Sequence, residues 1–442
     1  MELGAERLAV LLDAADPGWR GARLSLALSG GLDSSVLLHA LAALAARESL
    51  ALRALHVDHG LQPASANWSA ACREGCRALG VELEVIELSL RPARGESVEA
   101  LARERRYAAL AARLAVGERL LTAHHRDDQL ETVLIQLLRG AGVAGLAAMP
   151  VRAALGRGWQ LRPLLDVGRD ELAAYSARHG LAWQADPMNE SARFDRAYLR
   201  SRVLPALRER WPAAAETVSR ASRHFAEASR LLAEVAAADA RGTLDGGRLV
   251  LEGLAALSRD RQVNVLRWWL RQAGLRLPPA ARLDAALPAF FAARADGAPL
   301  MRWDGGEVRR YRGRLYAMAP LPGRVAQPRD AGLPIELGIG LGRFRLVAGH
   351  GGGLRHAALA GTSIRFRAGG ERLKPHPARP RKRLKDLCQE AGIVPWMRER
   401  LPLVFVGDRL AAVGDLWIDA DFAAGIGEPA LRPVWEKRPR IY

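Results

Sequence analysis

What constrains this chain most is the alternation of short apolar runs with helical patterns through residues 1–200. Arg23–Leu28 (RLSLAL) is a short apolar run closed by glycines, and Ser34–Arg47 has helical spacing. Leu52–Val57, Val81–Glu87 and Arg119–Ala123 read as further strands. Asn67–Leu79, Ser97–Leu114 and Asp127–Leu138 read as the helices between and after them. Crossovers of this length join parallel strands, so the segment predicts an α/β fold with a doubly wound parallel sheet. Such sheets take ligands beyond the carboxyl ends of their strands. Residues just after each predicted strand are therefore the candidate site.

After Pro150 the pattern loosens. Leu161–Leu165 (LRPLL) leads to a helix at Arg169–His179, and Asp186-Pro187-Met188-Asn189 marks a turn. A basic helical stretch, interrupted by prolines, follows from Arg196 to about Arg230. The expected division is a nucleotide-binding domain over 1–215 and a mainly helical domain over 216–325. A Pro/Gly/Ala-rich linker over 326–340 then leads to a small, basic α+β domain over 341–442. The middle domain is expected to end in two strands, Leu300–Trp303 and Val308–Met318, around a turn at Asp304-Gly305-Gly306.

The charge balance points to a polyanion. Lys and Arg number 65 against 48 Asp and Glu, a formal +17, and nucleic acid is the commonest large polyanion. An Arg- and Ala-rich composition accounts for part of that excess. Three cysteines, Cys72, Cys76 and Cys388, make no disulfide framework, and no second Cys/His pair accompanies them as zinc or iron–sulfur ligands. A reducing cytoplasm fits. The start, MELGAERLAV, lacks the apolar stretch of a signal peptide. No apolar run reaches the ~18 residues that span a membrane.

Ser29-Gly30-Gly31-Leu32-Asp33-Ser34-Ser35 sits between a predicted strand and a predicted helix. Glycines there let backbone N–H groups approach a phosphate, and the helix N-terminus adds partial positive charge. Serine hydroxyls add donors. Asp33 makes sense beside phosphate if it caps the loop or faces magnesium. The stretch lacks the Lys of a Walker loop and the third glycine of a dinucleotide loop. The alternative is a structural turn.

Three more motifs fall in order. His56-Val57-Asp58-His59-Gly60-Leu61 ends the second strand, where a nucleotide lies in this topology; two histidines alone make a poor metal site. Glu99, Arg103, Arg106 and Tyr107 share one helix. Glu99 and Arg103 either pair on its surface or leave the Arg to neutralise charge building on a leaving pyrophosphate. His124-His125-Arg126-Asp127-Asp128-Gln129-Leu130-Glu131-Thr132 follows the fourth strand. Asp128 and Glu131 share a helix face. Asp127 and Asp128 are candidate magnesium ligands, the alternative being N-capping by Asp127.

S-G-G-x-D-S resembles the signature of the PP-loop ATP pyrophosphatase superfamily. The four motifs together resemble its tRNA(Ile)-lysidine synthetase family, which has SGGxDSS, HV-x-HGL, E-x-x-A-R-x-x-R-Y and A-H-x-x-D-D-Q-x-E-T. Arg162-Pro163-Leu164-Leu165, Asp186–Asn189, Arg367–Lys374, Val394-Pro395-Trp396 and Val413-Gly414 are family-like as well. One departure is Arg196-Ala197, where the family has Arg-Asn.

The resemblance implies ATP and Mg2+ as cofactors, with free lysine and the CAU-anticodon isoleucine tRNA as partners. It implies adenylylation of the C2 oxygen of the wobble cytidine, then attack by the lysine ε-amine to give lysidine. The loop Ser29–Ser35 and His56 would bind ATP. Asp33, Arg103, Asp128 and Glu131 would be catalytic, with Asp128 and Glu131 holding magnesium and orienting or deprotonating lysine. The basic run Arg365, Arg367, Arg372, Lys374, Arg379, Arg381, Lys382, Arg383 and Lys385 suits the tRNA body. A homodimer is compatible with this set. Of the rivals, a tRNA thiolase needs paired reactive cysteines, and Cys72 and Cys76 are expected on a helix away from the loop. A glutamine-dependent synthetase needs an amidotransferase cysteine, and a non-catalytic RNA-binding protein has no use for the acidic motif.

Overall fold

Alternating apolar residues give the first sheet two covered faces. Strands β1 (Leu24–Ala27), β2 (Leu52–Asp58), β3 (Glu82–Glu87), β4 (Arg119–Leu121), β5 (Arg152–Leu155) and β6 (Gly158–Leu161) run in the order β3-β2-β1-β4-β6-β5. All neighbours are parallel except β5, which pairs antiparallel with β6 at the edge. Helices α1 (Ala5–Ala15), α2 (Leu32–Glu48), α3 (Ser65–Ala78), α4 (Val98–Arg113), α5 (Arg126–Leu138), α6 (Val143–Leu146) and α7 (Arg169–Arg178) accompany it. This computed structural model describes residues 2–60, 65–88, 98–184, 195–294, 297–321, 335–338, 340–356 and 361–439. It divides into two units, Met1–Leu232 and Ala233–Tyr442. The predicted turn Asp186–Asn189, residue Leu61 and most of the predicted linker lie outside the described residues.

Strand neighbours point to opposite faces, and the packing follows that rule. Leu24 and Leu26 of β1, Ala54 of β2 and Leu121 of β4 join one core with α1, α2, α7 and the cysteines of α3. Leu55 of β2 and Leu120 of β4 join Leu110 and Leu114, in and just after α4, in another core, with Ala27 packed against it. Thus α2 and α4 cover opposite faces. The chain leaves β1 for β2 on one side and returns to β4 on the other. Strand order therefore reverses at β1, the switch point where such sheets bind ligands.

The doubly wound α/β sheet is as predicted, with one addition. The β5–β6 hairpin occupies residues where the pattern had loosened, and only Leu161 of the LRPLL run lies in a strand. Beyond α7 the basic stretch forms α8 (Asp195–Tyr198), a π-helical turn over Leu199–Val203, α9 (Leu204–Arg210) and α10 (Ala214–Arg241). Pro205 is tolerated in the first turn of α9.

In the second unit, helices Leu251–Ala255, Arg259–Gln272 and Ala280–Ala292 pack with a five-stranded sheet. The strand predicted over Val308–Met318 is corrected to two, Gly306–Tyr311 and Arg314–Met318, paired antiparallel. Arg312 (φ 47°) and Gly313 (φ 70°) turn the hairpin. Both positive angles belong to a tight primed turn, for which Arg at the first position is an unfamiliar cue. Two four-stranded antiparallel sheets and the short helices Leu384–Glu390 and Pro395–Arg398 form the rest, around a core including Phe344, Trp396 and Trp435. Among the described residues no helix is long and apolar enough to cross a membrane.

Candidate active site

The loop after β1 is a self-supporting turn. The Ser34 hydroxyl accepts the Ser29 N–H (3.2 Å) and donates to the Gly31 carbonyl (3.0 Å), with the Ser29 hydroxyl 2.9 Å away. Ser35 N–H donates to the same carbonyl, beginning α2. Gly30 has φ +81°, and a Cβ there would lie 3.0 Å from Cys72 Sγ. The positive φ favours glycine, and a side chain would press on a buried sulfur. The Gly30 carbonyl accepts the Gln184 N–H (2.9 Å), and Leu32 packs on the core beneath. Gly31 caps α2 without a side chain, so the first N–H groups of the helix are available to an anion. Asp33 Oδ1 is buried with no hydrogen-bond partner among the described residues.

His56, expected at the nucleotide, is buried and turned inward. Its Nδ1 lies 2.9 Å from the Leu28 carbonyl and 3.7 Å from Cys72 Sγ. It supports the end of β1. Cys72 is not away from the loop but directly beneath it, a correction to its expected position. Burial pushes its thiol up to about 12, and that of Cys76 up to about 11. Neither is a nucleophile at neutral pH, so the case against a sulfur relay stands for a different reason.

The acidic motif forms a dense cluster at the start of α5. His125 sits at the N-cap: Asp128 Oδ2 accepts its backbone N–H (3.0 Å), and its Nδ1 lies 3.3 Å from the Asp127 backbone nitrogen. The ring also lies 3.4 Å from Asp127 Oδ2, 3.5 Å from Asp128 Oδ2 and 3.6 Å from Asp33 Oδ2. Burial pushes this imidazole down. Hydrogen bonds to Asp127 and Asp33 and the charge of Asp128 outweigh it and raise it to about 10. His125 thus ties the phosphate loop to the acidic helix.

Asp127 serves the neighbouring helix. It accepts the Arg169 N–H at the start of α7 (2.9 Å) and pairs with Arg208. Burial pushes its carboxyl up, but His125, the Arg169 N–H and Arg208 hold it well below the usual range. Asp128 and Glu131 share Arg200, whose guanidinium reaches Asp128 Oδ1 (2.9 Å) and Glu131 Oε2 (3.0 Å). Burial raises the Glu131 carboxyl against the pull of Arg200. Gln129 clamps both backbone groups of Met149 (2.9 Å each), and Arg196 reaches Thr132 (3.2 Å). Ala197, at the departure from the family pattern, is buried. Among the described residues no three His, Cys, Asp or Glu side chains are grouped to hold a metal by themselves. Magnesium asks for only one or two carboxylates beside phosphate oxygens.

Arg103 lies elsewhere, over the face covered by α4. Arg103 and Arg106 flank the Tyr107 ring at 5.3 and 5.4 Å. Gln160 of β6 reaches the Tyr107 hydroxyl (3.4 Å) and Thr122 (3.1 Å), and accepts from Arg162 (2.6 Å). Thr122 contacts His124 Nδ1 (2.9 Å). Burial, with Arg162, Arg106 and Arg103 nearby, pushes His124 down to about 3 despite Asp128. It is therefore neutral.

Much of the basic run in the second unit is internally paired. Arg381 binds buried Asp419 (2.9 Å) and Asp421 (2.7 Å), Lys374 reaches Asp421 (3.4 Å), Lys382 pairs with Glu390 and Arg367 with Glu371. Arg365 bonds Ser363 (3.0 Å), and Arg372 bonds the Arg381 carbonyl (3.2 Å). Arg379, Arg383 and Lys385 are exposed, with no carboxylate partner among the described residues. Motif reasoning missed Arg200 and Arg208. Their only signal was Arg at positions 196, 200 and 208 of one helical stretch.

A strand, a glycine turn and a helix N-terminus at the switch point, facing an acidic helix, define a PP-loop protein that uses ATP. The family description "PP-loop domain" matches residues 6–207. "TilS substrate binding domain" matches 249–316, and "TilS substrate C-terminal domain" matches 362–435. The tRNA(Ile)-lysidine synthase of Alkalilimnicola ehrlichii is 43% identical over 99% of this chain and 98% of its own. That of Methylococcus capsulatus is 41% identical over 91% and 94%. That of Pseudomonas aeruginosa is 43% identical over 92% of each. The chain belongs to the tRNA(Ile)-lysidine synthase family, and is a ligase.

Proposed function

We propose that this ligase joins the ε-amine of free lysine to C2 of the wobble cytidine in the CAU-anticodon isoleucine tRNA, in the cytoplasm. The C2 oxygen is first adenylylated by ATP, releasing pyrophosphate; lysine then displaces AMP and leaves lysidine. The observation that carries the reading is the meeting of the glycine loop with Asp33, His125, Asp128 and Glu131 across the ends of β1 and β4. An amide-like oxygen is a poor leaving group, and adenylylation makes it a good one.

The residues present fit ATP. A side chain at Gly30 would be strained, and the open N–H groups of α2 suit pyrophosphate oxygens. The buried, unpartnered Asp33 Oδ1 suits magnesium, which would neutralise charge on those oxygens. The oxygens of Asp127 and Asp128 are already taken, so we assign magnesium to Asp33, which Asp128 joins only by releasing Arg200. Asp128 and Glu131 already hold one cation, Arg200, and are suited to orient an ammonium. Glu131, with its raised carboxyl, is our candidate proton acceptor for the attacking amine once Arg200 gives way.

Mass spectrometry of the isoleucine tRNA after incubation with ATP and lysine tests this directly. Lysidine should appear with wild type and vanish with Asp128→Ala, while tRNA binding stays largely intact. Near-normal turnover by the variant would sink the assignment. Sustained pyrophosphate release that needs both tRNA and lysine separates this reading from thiolation, amide synthesis and simple RNA binding.

A further inference from the structure

The fold sets the cations around Tyr107 apart from the phosphate loop. Arg103, Arg106 and Arg162 have no carboxylate partner among the side chains described, which do not include Glu99, the partner offered for Arg103 by helical spacing. Burial pushes the Tyr107 hydroxyl up, yet Arg106, the Gln160 hydrogen bond, Arg103 and Arg162 together bring it below its usual value. Arg162 is 7% exposed, gives two N–H groups to the Pro150 carbonyl (2.7 Å) and Gln160, and keeps Nε buried without a partner. Three like charges gathered around one ring repel one another. An anion arriving among them relieves that repulsion.

Topology decides which anion. The phosphate loop feeds α2, on the face with Leu26, Ala54 and Leu121. Thr122 and Gln160 alternate with Leu121 and Leu161, which lie on that face, and so point to the opposite one, under α4. The cluster stands over β4 and β6, across the sheet crest from the pyrophosphate cradle, with the acidic helix α5 starting directly after β4. A group bound there approaches the reaction from the acceptor side. Arg103 is exposed at the rim, Arg106 and Tyr107 are half-buried and Arg162 forms the floor. That gradation suits one phosphate entering from an exposed strand.

We propose that Arg103, Arg106 and Arg162, with Tyr107, form a second anion site that grips a backbone phosphate of the RNA beside the reacting base. This rests on the function proposed above and gives Arg103 the acceptor strand in place of the departing pyrophosphate. A phosphate held on α4 while the base reaches over β4 would bring C2 toward the α-phosphorus from the face opposite the loop.

The test uses full-length protein and the Arg103→Ala/Arg106→Ala double variant, one substitution exposed and the other half-buried, with folding checked by urea unfolding. RNA probes are the CAU-anticodon tRNA and versions carrying a single uncharged methylphosphonate on either side of the wobble cytidine. Inorganic pyrophosphate and ATP are titrated separately. The double variant should lose at least tenfold in tRNA affinity, and its log K against log salt should flatten by about 0.7, one single-strand phosphate contact. One methylphosphonate should weaken wild type equally and the double variant no further. Pyrophosphate and ATP affinities should be unchanged. The reverse, a tenfold loss for pyrophosphate with tRNA affinity intact, overturns the proposal and returns the cluster to the leaving group. Equal losses from methylphosphonates in wild type and variant overturn it as well. These binding readouts do not depend on lysidine appearing, so failure of the site and failure of the proposed reaction are distinguished.

Discussion

Arg200 holds two carboxylates of the acidic motif, and one of them, Glu131, is almost fully buried. A buried carboxylate left alone is costly, so Arg200→Ala should lower unfolding stability by about 2 kcal/mol. Arg200→Lys should recover only part of this, because an ammonium cannot fork between Asp128 and Glu131. Urea unfolding midpoints read both; a midpoint unchanged in Arg200→Ala would mean the pair is solvated. At this scale the motif side chains were legible in the sequence, since glycines before a helix and acids after a strand each have a local reason. Their partners were not. Arg200 and Asp128 are 72 positions apart, and Arg208 and Asp127 are 81. Nothing in local spacing tells an arginine which distant carboxylate it will meet. Cys72 makes the same point, because helical spacing could not show that its sulfur fills the space under Gly30.

Helix α2 rests on α7 through three rings: His39 Nδ1 lies 2.8 Å from the Tyr175 hydroxyl, and His179 stacks against both at 4.8 and 4.3 Å. Burial, then the charge of His179, lowers His39 below the ordinary imidazole value. In the unfolded chain it protonates near 6.5. As pH falls through that value the unfolded state takes up a proton the folded state resists, and stability is lost. Tyr175, His179 and the nearby Arg178 offer no negative charge to compensate. His39→Gln should therefore shrink the fall in urea midpoint between about pH 8 and about pH 5.5; an unchanged fall would place the acid sensitivity elsewhere. Long periodic elements such as α2 and α4 were readable because their apolar spacing is itself the cause of their burial. The β5–β6 hairpin was not, since its strands are short and its edge position leaves β5 with no buried residue. The Arg312-Gly313 hairpin was hidden by an atypical turn residue.

Net charge is a property of the whole chain, and here it overstates what is free to bind. In the second unit Arg381, Lys374, Lys382 and Arg367 face their own carboxylates. Arg381→Ala leaves the fully buried Asp419 with the backbone N–H groups of Lys374 and Asp421 but no cation, and should destabilise the protein by about 2 kcal/mol. Arg372→Ala with Lys385→Ala should barely move the thermal midpoint, yet weaken tRNA binding and reduce its salt dependence. Measuring melting and tRNA binding on both variants checks this. A stable Arg381→Ala protein with lost tRNA affinity would reverse the roles. The +17 was legible in the composition; which cations were spent on the fold was not, because pairing depends on tertiary contacts.

The π-helical turn at Leu199–Val203 has a consequence for how this segment can change in length. A π turn carries one residue more than the α-helix around it. Deleting a single residue there would return the stretch to α-helical winding with Arg208 facing nearly as before, whereas deleting one from the α-helical turns on either side, between Arg196 and Arg208, would swing Arg208 by about 100° relative to Arg196. The arginines would all remain, but they could not address Thr132, Asp128, Glu131 and Asp127 together. Between Arg196 and Arg208, spacing is as much a part of the site as side-chain chemistry, and most substitutions disturb it less than one gap.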